Sequence, residues 1–354
     1  MVHDIHKWER LPFPKSLPQF QKLFPDDAAC ARYLEGAKWP DGFHCPHCKA
    51  LGEPLYCSAA RPHVVACRKC RKQTSLTVGT VMERTHTPLT TWFWGAYLMS
   101  SMTPGLSAVQ FQRQLGLTRY ETAFGILHKL RAGMVRQDRD RIGGSISGRD
   151  HIEIDETYIG GVLRGEGKGP HADAKTLVVA AVEVRTRPPK KGDKPERRGG
   201  RYAGRLRLEI VPDRTAKSLC GFVEEAVAPG AIVITDAAPS YAGLEKLGYA
   251  HLPVVEANDP KVAEEYLPII HLAFSNLKSW LRGTHHGVSP QHLQAYLNEF
   301  AFRFNRRFYP FNAFRSLLGI GANGESPTYD GLYSGEWTHP NVSHGTHQPL
   351  EPAC

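Results

Sequence analysis

Three absences narrow the field before any motif is read. The 354-residue chain has no run of about 18 apolar residues, so no segment is expected to span a membrane. Its opening stretch, MVHDIHKWERLPF, lacks the apolar segment of a secretory signal, and a cytoplasmic location is the expectation. No GxxxxGK followed by Ser or Thr occurs, so no phosphate-gripping loop and no nucleotide cofactor are expected. What is present suffices for real cores: 41% of residues are hydrophobic, and the length suggests about two or three domains. The eight cysteines suit a reducing compartment if four of them bind metal.

The net charge of +9 points toward nucleic acid, but it is unevenly spread. Arg185 to Arg207 holds ten Lys or Arg against Asp193 and Glu196, which is +8 in one place. Prolines and glycines break this stretch, so residues 186–204 read as a loop between two strands. It is either a solvated linker or an arm that holds a phosphate backbone through Lys190, Lys191, Arg197 and Arg198.

Residues 45–70 contain CPHC and CRKC. Within each pair the spacing lets two thiolates of one tight turn reach the same ion, and two such turns complete a tetrahedral Cys₄ site. Cys45, Cys48, Cys67 and Cys70 are therefore expected to hold a structural zinc ion (Zn²⁺), replacing the core that so small a module lacks. Cys57, His44, His47 and His63 are read as bystanders. Upstream, FPDDAACARYLEGAKWPDGF reads as a helix opened by Asp26 and Asp27 and stopped by Gly36 and Pro40.

LTTWFWGAYLMSSM (89–102) looks like a buried helix. In the next stretch Ser107 can cap a helix with Val109, Phe111 and Leu115 inward, Gly116 ends it, and Thr118 can cap another. That second helix carries Ala123, Ile126, Leu127 and Leu130 at helical spacing, with Arg119, Tyr120, Lys129 and Arg131 outward. Two short helices joined at a Gly form a helix-turn-helix layout for DNA or simply two packed helices; the adjacent zinc ribbon favours DNA.

From residue 151 the pattern turns to strands. HIEIDETYIGG alternates apolar and polar residues, so Glu153 and Asp155 share one face. KTLVVAAVEVR (175–185) is continuously apolar and reads as central, RLRLEIV (205–211) alternates, TAKSLCGFVEEAV (215–227) is an amphipathic helix, and AIVITD (231–236) is a buried strand. This order predicts an α/β class with a mixed sheet. Asp236 stands at the carboxyl end of its strand, before a helix expected from Pro239 onward, PSYAGLEKLG. Alone, Asp155 reads as part of a half-exposed strand and Asp236 as a helix cap. If their strands are neighbours, the two carboxylates can converge on hard divalent cations such as Mg²⁺, the chemistry of two-metal phosphoryl transfer. FRFNRRFYPF near the end alternates aromatic and basic residues; Arg303, Arg306 and Arg307 can sit on phosphates while most of the aromatics pack in a core.

The stretches WPDGFHCPHC, IEIDETYIGG, VITDAAPSY and LRGTHHGVSPQHLQAYLNEFAFRFNRR together resemble an insertion-sequence transposase of the RNase-H-like Asp-Asp-Glu superfamily. The similarity is greatest to the branch with a zinc ribbon ahead of the catalytic core, the family numbered fifteen ninety-five, and it covers about residues 20–320. It implies that Asp155 and Asp236 are the first two metal-binding acids. Seven residues before Lys278, where many relatives have Glu, this chain has His271. Some relatives carry His or Asn there, so the resemblance implies His271 as the third ligand, with Mn²⁺ accepting its nitrogen more readily than Mg²⁺. Glu264, Glu265 and Glu299 are rivals. Lys278 is implied as a contact to a terminal base or phosphate.

The expected architecture runs from an N-terminal helical segment (1–40) through a zinc ribbon (41–80) and a helix-turn-helix region (81–145) to an RNase-H-like catalytic domain (146–320). A disordered tail (321–354) follows, poor in apolar residues. The expected function is a DNA transposase that binds double-stranded transposon ends as a homo-oligomer, cuts them with Mg²⁺ or Mn²⁺, and joins them to target DNA. The rivals are a catalytically inactive DNA-binding relative and an RNase-H-like junction nuclease.

Overall fold

The structure is a computed structural model that describes residues 10–136, 139–144, 150–160, 175–187, 200–255, 266–324 and 326–334. The chain divides into two compact units: one from Met1–Gln137 and Arg306–Asn341, the other from Asp138–Asn305 and Val342–Cys354. The basic side chains expected at 190, 191, 197 and 198, the rivals Glu264 and Glu265, and residues 335–354 lie outside the described residues.

The first unit opens with helix α1 (Leu17–Leu23), whose N-terminal amide of Gln19 is capped by Ser16. Helix α2 (Asp27–Lys38) is capped by Asp26, which accepts from the Ala29 amide at 2.8 Å. It runs through Gly36 rather than stopping there. A Cβ at Gly36 would sit 3.0 Å from Leu11, so this glycine serves a close approach and not a helix end. Asp27 does not cap its own helix. It accepts from the amides of Leu89 (3.1 Å) and Thr90 (2.9 Å), at the start of helix α3 (Leu89–Ser101), whose own N-cap is a proline without a capping side chain.

Between α2 and α3 lies the ribbon. Strands β1 (Phe43–His44) and β2 (Leu51–Gly52) pair antiparallel, and β3 (Leu55–Tyr56), β4 (Val64–Ala66) and β5 (Gln73–Ser75) form a three-stranded sheet. Helices α4 (Ala108–Gln114) and α5 (Tyr120–Ala132) follow. Ser107 caps α4 through the Gln110 amide as expected, and Gly116, at φ +61°, makes the turn. Val109, expected inward, is exposed, and the residue ahead of α5 is Arg119 without a side-chain cap, not Thr118.

The second unit is a five-stranded mixed sheet. Its strands are β6 (His151–Ile159), β7 (Thr176–Thr186), β8 (Arg201–Ile210), β9 (Ile232–Asp236) and β10 (Ala250–Val254), in spatial order β10-β9-β6-β7-β8. The first three run antiparallel; β9 joins β6 in parallel and β10 joins β9 in parallel. Helix α6 (Ala216–Ala226) covers one face with Leu219, Phe222 and Val223 packed among Ile152, Ile154, Val179 and Ala181. Helices α7 (Pro268–Trp280) and α8 (Pro290–Asn305) cover the other, with Ile270, Phe274, Leu277 and Leu297 packed among Val178, Ala180, Val182 and Leu208. This is the mixed sheet expected from the strand order, and it is consistent with the nuclease-like core that the resemblance implies. The predicted helix after Asp236 is absent: Pro239–Tyr241 and Glu245–Leu247 are single 3₁₀ turns, ended by Gly248 at φ +86°.

At the β7–β8 edge, Glu183 is 1% exposed and accepts from the amides of Gly143 (2.9 Å) and Arg205 (3.0 Å) and from Nη2 of Arg205 (2.9 Å). Burial raises its carboxyl, but the donors from Arg205 and Gly143 outweigh that and hold it down to about 2. A Cβ at residue 204 would lie 2.7 Å from Glu183 Oε2, so only glycine fits there.

The chain then returns to the first unit. Helix α9 (Pro310–Gly321) inserts Phe314 among the rings of Phe20, Phe24, Tyr33 and Phe93, with centroids 5.4–6.1 Å away. The expected disordered tail begins too early: helix α10 (Tyr329–Ser334) packs Tyr333 toward Phe124 and buries Leu332.

Candidate active site

The cysteines come together as two copies of one turn. In the first, the Cys45 amide bonds Ala50 O (3.0 Å) and the Lys49 amide bonds Cys45 O (3.0 Å); in the second, Cys67 bonds Lys72 O (3.0 Å) and Arg71 bonds Cys67 O (2.9 Å). Lys49 and Arg71, at matching places, both have positive φ, +59° and +61°. Sulfur separations of 3.7 Å link Cys45 to Cys70 and Cys48 to Cys67 across the turns. The backbone N–H of Cys48 pulls the Cys45 thiol down to about 6, so the turn itself favours thiolate. Among the described residues, these four are the one group of three or more His, Cys, Asp or Glu whose ligand atoms all lie within 4.8 Å of each other. Four sulfurs and no open position suit a structural zinc ion.

In the second unit the starting point is register. Glu153 pairs with Ile234 across the β6–β9 ladder, so Asp155 and Asp236, each two residues on, share a face and a level. Helix α7 crosses this face. His271, one turn into α7, places Nε2 3.2 Å from Asp155 Oδ2, and it is about one-third exposed. Further along, Lys278 donates from Nζ to Thr157 Oγ1 at 2.6 Å. Asp236 is steadied by the Ala238 amide at 3.2 Å. Asp155, His271 and Asp236 do not meet as closely as the four cysteines do.

Glu153 departs from expectation. It was read as sharing a wet face, yet it is fully buried and accepts from the amides of Ile269 (2.9 Å) and Ile270 (2.7 Å). Pro268 starts α7 without a capping side chain, and Glu153 supplies the missing acceptor from the sheet. It thus fixes the helix that carries His271. Glu299, a rival ligand, is buried with Arg303 Nη1 3.6 Å from its carboxylate on its own helix.

Sequence reasoning missed a second layer. On the opposite face of β6, Glu156 accepts from Tyr241 Oη at 2.7 Å and from Arg214 Nε at 2.5 Å. Arg214 Nη2 lies 3.8 Å from Asp236 Oδ2. Burial lifts the Glu156 carboxyl above its ordinary value, against the pull of Tyr241 and Arg214. Burial and the facing Glu156 push the Tyr241 hydroxyl up, so it stays a donor. No spacing rule joins residues 156, 214 and 241. The available signal was the polar pair Asp213–Arg214 between a strand and a helix.

The expected DNA contacts fare unevenly. Arg119 is exposed at the start of α5. Lys129 donates inward, to Glu83 O and Ser326 Oγ, both at 3.1 Å. Arg131 is 1% exposed, so it faces no ligand from its place in α5. Phe124, His128 and Leu130 are buried too, so α5 exposes little beyond its first turn. Arg303 lies over the Trp280 ring (5.8 Å) and Arg307 over Phe308 (4.4 Å); burial lowers Arg306 to about 10. Phe308, Tyr309 and Phe311, expected among the core aromatics, are exposed.

Residues 146–305 match the ISXO2-like transposase domain and residues 25–73 match the transposase zinc-ribbon domain. A protein in the transposable element ISH50 of Halobacterium salinarum is 24% identical over 307 residues, covering 80% of this chain and 92% of that one. No solved structure matches the chain. No helix among the described residues is long and apolar enough to cross a membrane. The zinc-ribbon match spans the paired knuckles and the transposase-domain match spans the mixed sheet: the chain carries a transposase zinc ribbon and an ISXO2-like transposase domain of the IS1595 type.

Proposed function

We propose that the second unit cuts transposon ends and joins them to target DNA, with Asp155, Asp236 and His271 holding Mg²⁺ or Mn²⁺. The observation that carries this reading is the placement of His271 3.2 Å from Asp155, on the face and at the level where Asp236 ends its strand. Two carboxylates and one imidazole, each partly exposed, are a donor set that divalent Mg²⁺ or Mn²⁺ accepts. When bound, such ions supply an activated oxygen nucleophile and stabilise the leaving oxygen.

The chain's own residues then have separable duties. Asp155 and Asp236 present their oxygens from neighbouring strands of a rigid sheet, which fixes their separation. Glu153 pins the first turn of α7 and so the position of His271. Lys278, on the exposed side of the same helix, is placed for a DNA phosphate or base beside the acids. The ribbon, Arg119 and the exposed first turn of α5 are the elements we assign to holding double-stranded terminal repeats, with the complex forming as a homo-oligomer on DNA. The test is strand transfer with purified full-length protein, labelled duplexes bearing the repeats that flank its coding sequence, and Mg²⁺ or Mn²⁺. Joined products are expected; their absence at every metal concentration, with binding intact, favours a DNA-binding protein without catalysis.

A further inference from the structure

We propose that Arg214 is a phosphate-binding residue of the acidic site, its guanidinium taking a non-bridging oxygen of the DNA phosphodiester beside Asp236. This rests on the reading of the second unit as a DNA-processing core.

Three features of the surroundings support it. First, the side chain is anchored at one end only. Glu156, 3% exposed in its side chain, binds Arg214 through Nε and Nη2, and Tyr241 holds the other Glu156 oxygen at 2.7 Å. The remaining guanidinium surface is open: the side chain is half exposed, and Nε and Nη2 face Glu156, which leaves Nη1 for a ligand. Second, the 3.8 Å separation from Asp236 is too long for a hydrogen bond, so Arg214 stands at the acid without being spent on it. Third, its backbone is fixed beforehand. Asp213 accepts from the Thr215 amide (3.0 Å), Thr215 Oγ1 (2.7 Å) and Ser218 Oγ (2.7 Å), and the Arg214 carbonyl accepts from Ser240 Oγ (2.5 Å).

The electrostatics supply the reason. Asp155 and Asp236 place two carboxylates on the face where, on this reading, a DNA phosphate arrives. Lys278 puts one cation beside Thr157, and Arg214 adds a second at the Asp236 end, where the phosphate otherwise meets repulsion until metal is bound. A guanidinium is always charged and presents several donors in a planar fork that matches phosphate oxygens. Glu156 and Asp155 are adjacent in β6 and face opposite sides, so Arg214 reaches from one side of the sheet to the end of β9 on the other.

The test uses full-length, zinc-loaded protein and a labelled duplex carrying the flanking terminal repeat. Affinity is read by anisotropy over a salt series without added Mg²⁺ or Mn²⁺. Arg214→Gln should lower affinity about tenfold and flatten the log–log salt slope by about 0.9, the share of one phosphate contact. Arg214→Lys should keep the parent slope, because charge is retained, yet raise KM for cleavage. The double variant Glu156→Gln/Arg214→Gln keeps a neutral hydrogen-bonded pair and so avoids the cost of a buried lone carboxylate. It too should show the flattened slope. Parent-like slopes in both Gln variants overturn the proposal, as does a Lys variant whose slope falls like that of Gln, which marks lost structure instead of lost charge. Asp155→Asn, run alongside, should abolish cleavage and leave the slope unchanged. Its outcome bears on the metal reading and not on Arg214.

Discussion

The cysteine cluster and the acidic site both gather side chains able to hold a metal, but they are assembled in opposite ways. Each cysteine pair is placed by a turn of a few residues, whose bonds close within the turn itself, from Cys45 to Ala50 and from Cys67 to Lys72. Asp155, Asp236 and His271 share no local turn. They are brought together by a parallel strand pairing and by a helix whose first amides are held by Glu153, 116 residues away in sequence. A site built from turns depends on its ion for stability, whereas a site built on a sheet depends on the sheet and leaves its ion optional.

That contrast can be broken at several points. The largest effect is expected for Asp155→Asn and Asp236→Asn, each of which removes an anionic ligand. Both should abolish cleavage and joining, shift the melting temperature little, and leave end binding intact. An active Asp155→Asn protein would end the catalytic reading of β6.

Cys67→Ser should do the reverse, losing the zinc and unfolding the ribbon while the second unit stays folded. Metal analysis together with hydrogen exchange checks this; a full complement of zinc in the variant would refute it. Next in size is His271. Alanine there should cripple joining, whereas His271→Glu should retain part of it and move the preference from Mn²⁺ toward Mg²⁺, as an oxygen replaces a nitrogen. Strand transfer across titrations of both metals reads this directly. If His271→Ala joins DNA as well as the parent, the third ligand lies elsewhere.

The smallest effect concerns acid. Glu183 is held at about 2 in the folded protein, below the roughly 4.3 of an unfolded glutamate. A depressed folded value contributes stability that is fully present above the unfolded one and lost as pH falls toward the folded one. Chemical denaturation of the second unit should therefore show stability declining between about pH 4.5 and pH 2. Glu183→Gln should flatten that decline, and an unchanged profile would assign it to other carboxylates.

How far the sequence could be read follows the same division. The knuckles were legible because CPHC and CRKC each encode a whole turn. The strands were legible because β7 is apolar from Leu177 to Val182 while β6 and β8 alternate, an order that points to a mixed sheet. The place of Asp236 at the end of its strand was legible because AIVITD is a short apolar run that stops on the acid. What was missed depended on partners far away in the chain. Glu153 looked solvent-facing on pattern alone, since nothing nearby announces that α7 begins with a proline needing an acceptor. Arg131 looked outward by helical spacing, but α5 is enclosed on more sides than a two-helix reading supplies. Tyr329–Ser334 looked featureless because it is a short helix whose rings, Tyr329 and Tyr333, lie near Gly125 and Phe124 of a helix far earlier in the chain. The Glu156–Arg214–Tyr241 cluster joins three separate segments, and no single window contains it.

The first unit is built from both sides of the second, and this sets an order of events on the ribosome. Phe314 completes the ring cluster of Phe20, Phe24, Tyr33 and Phe93, yet it is synthesised only after the entire mixed sheet has emerged. The N-terminal helices must therefore wait for Phe314 while the strands of the sheet, all before residue 255, are made. A nascent chain stalled before residue 310 would carry the acids of the second unit in place but an unfinished first unit. The first unit is thus the last part to be finished, closed by a helix that is made only after the sheet.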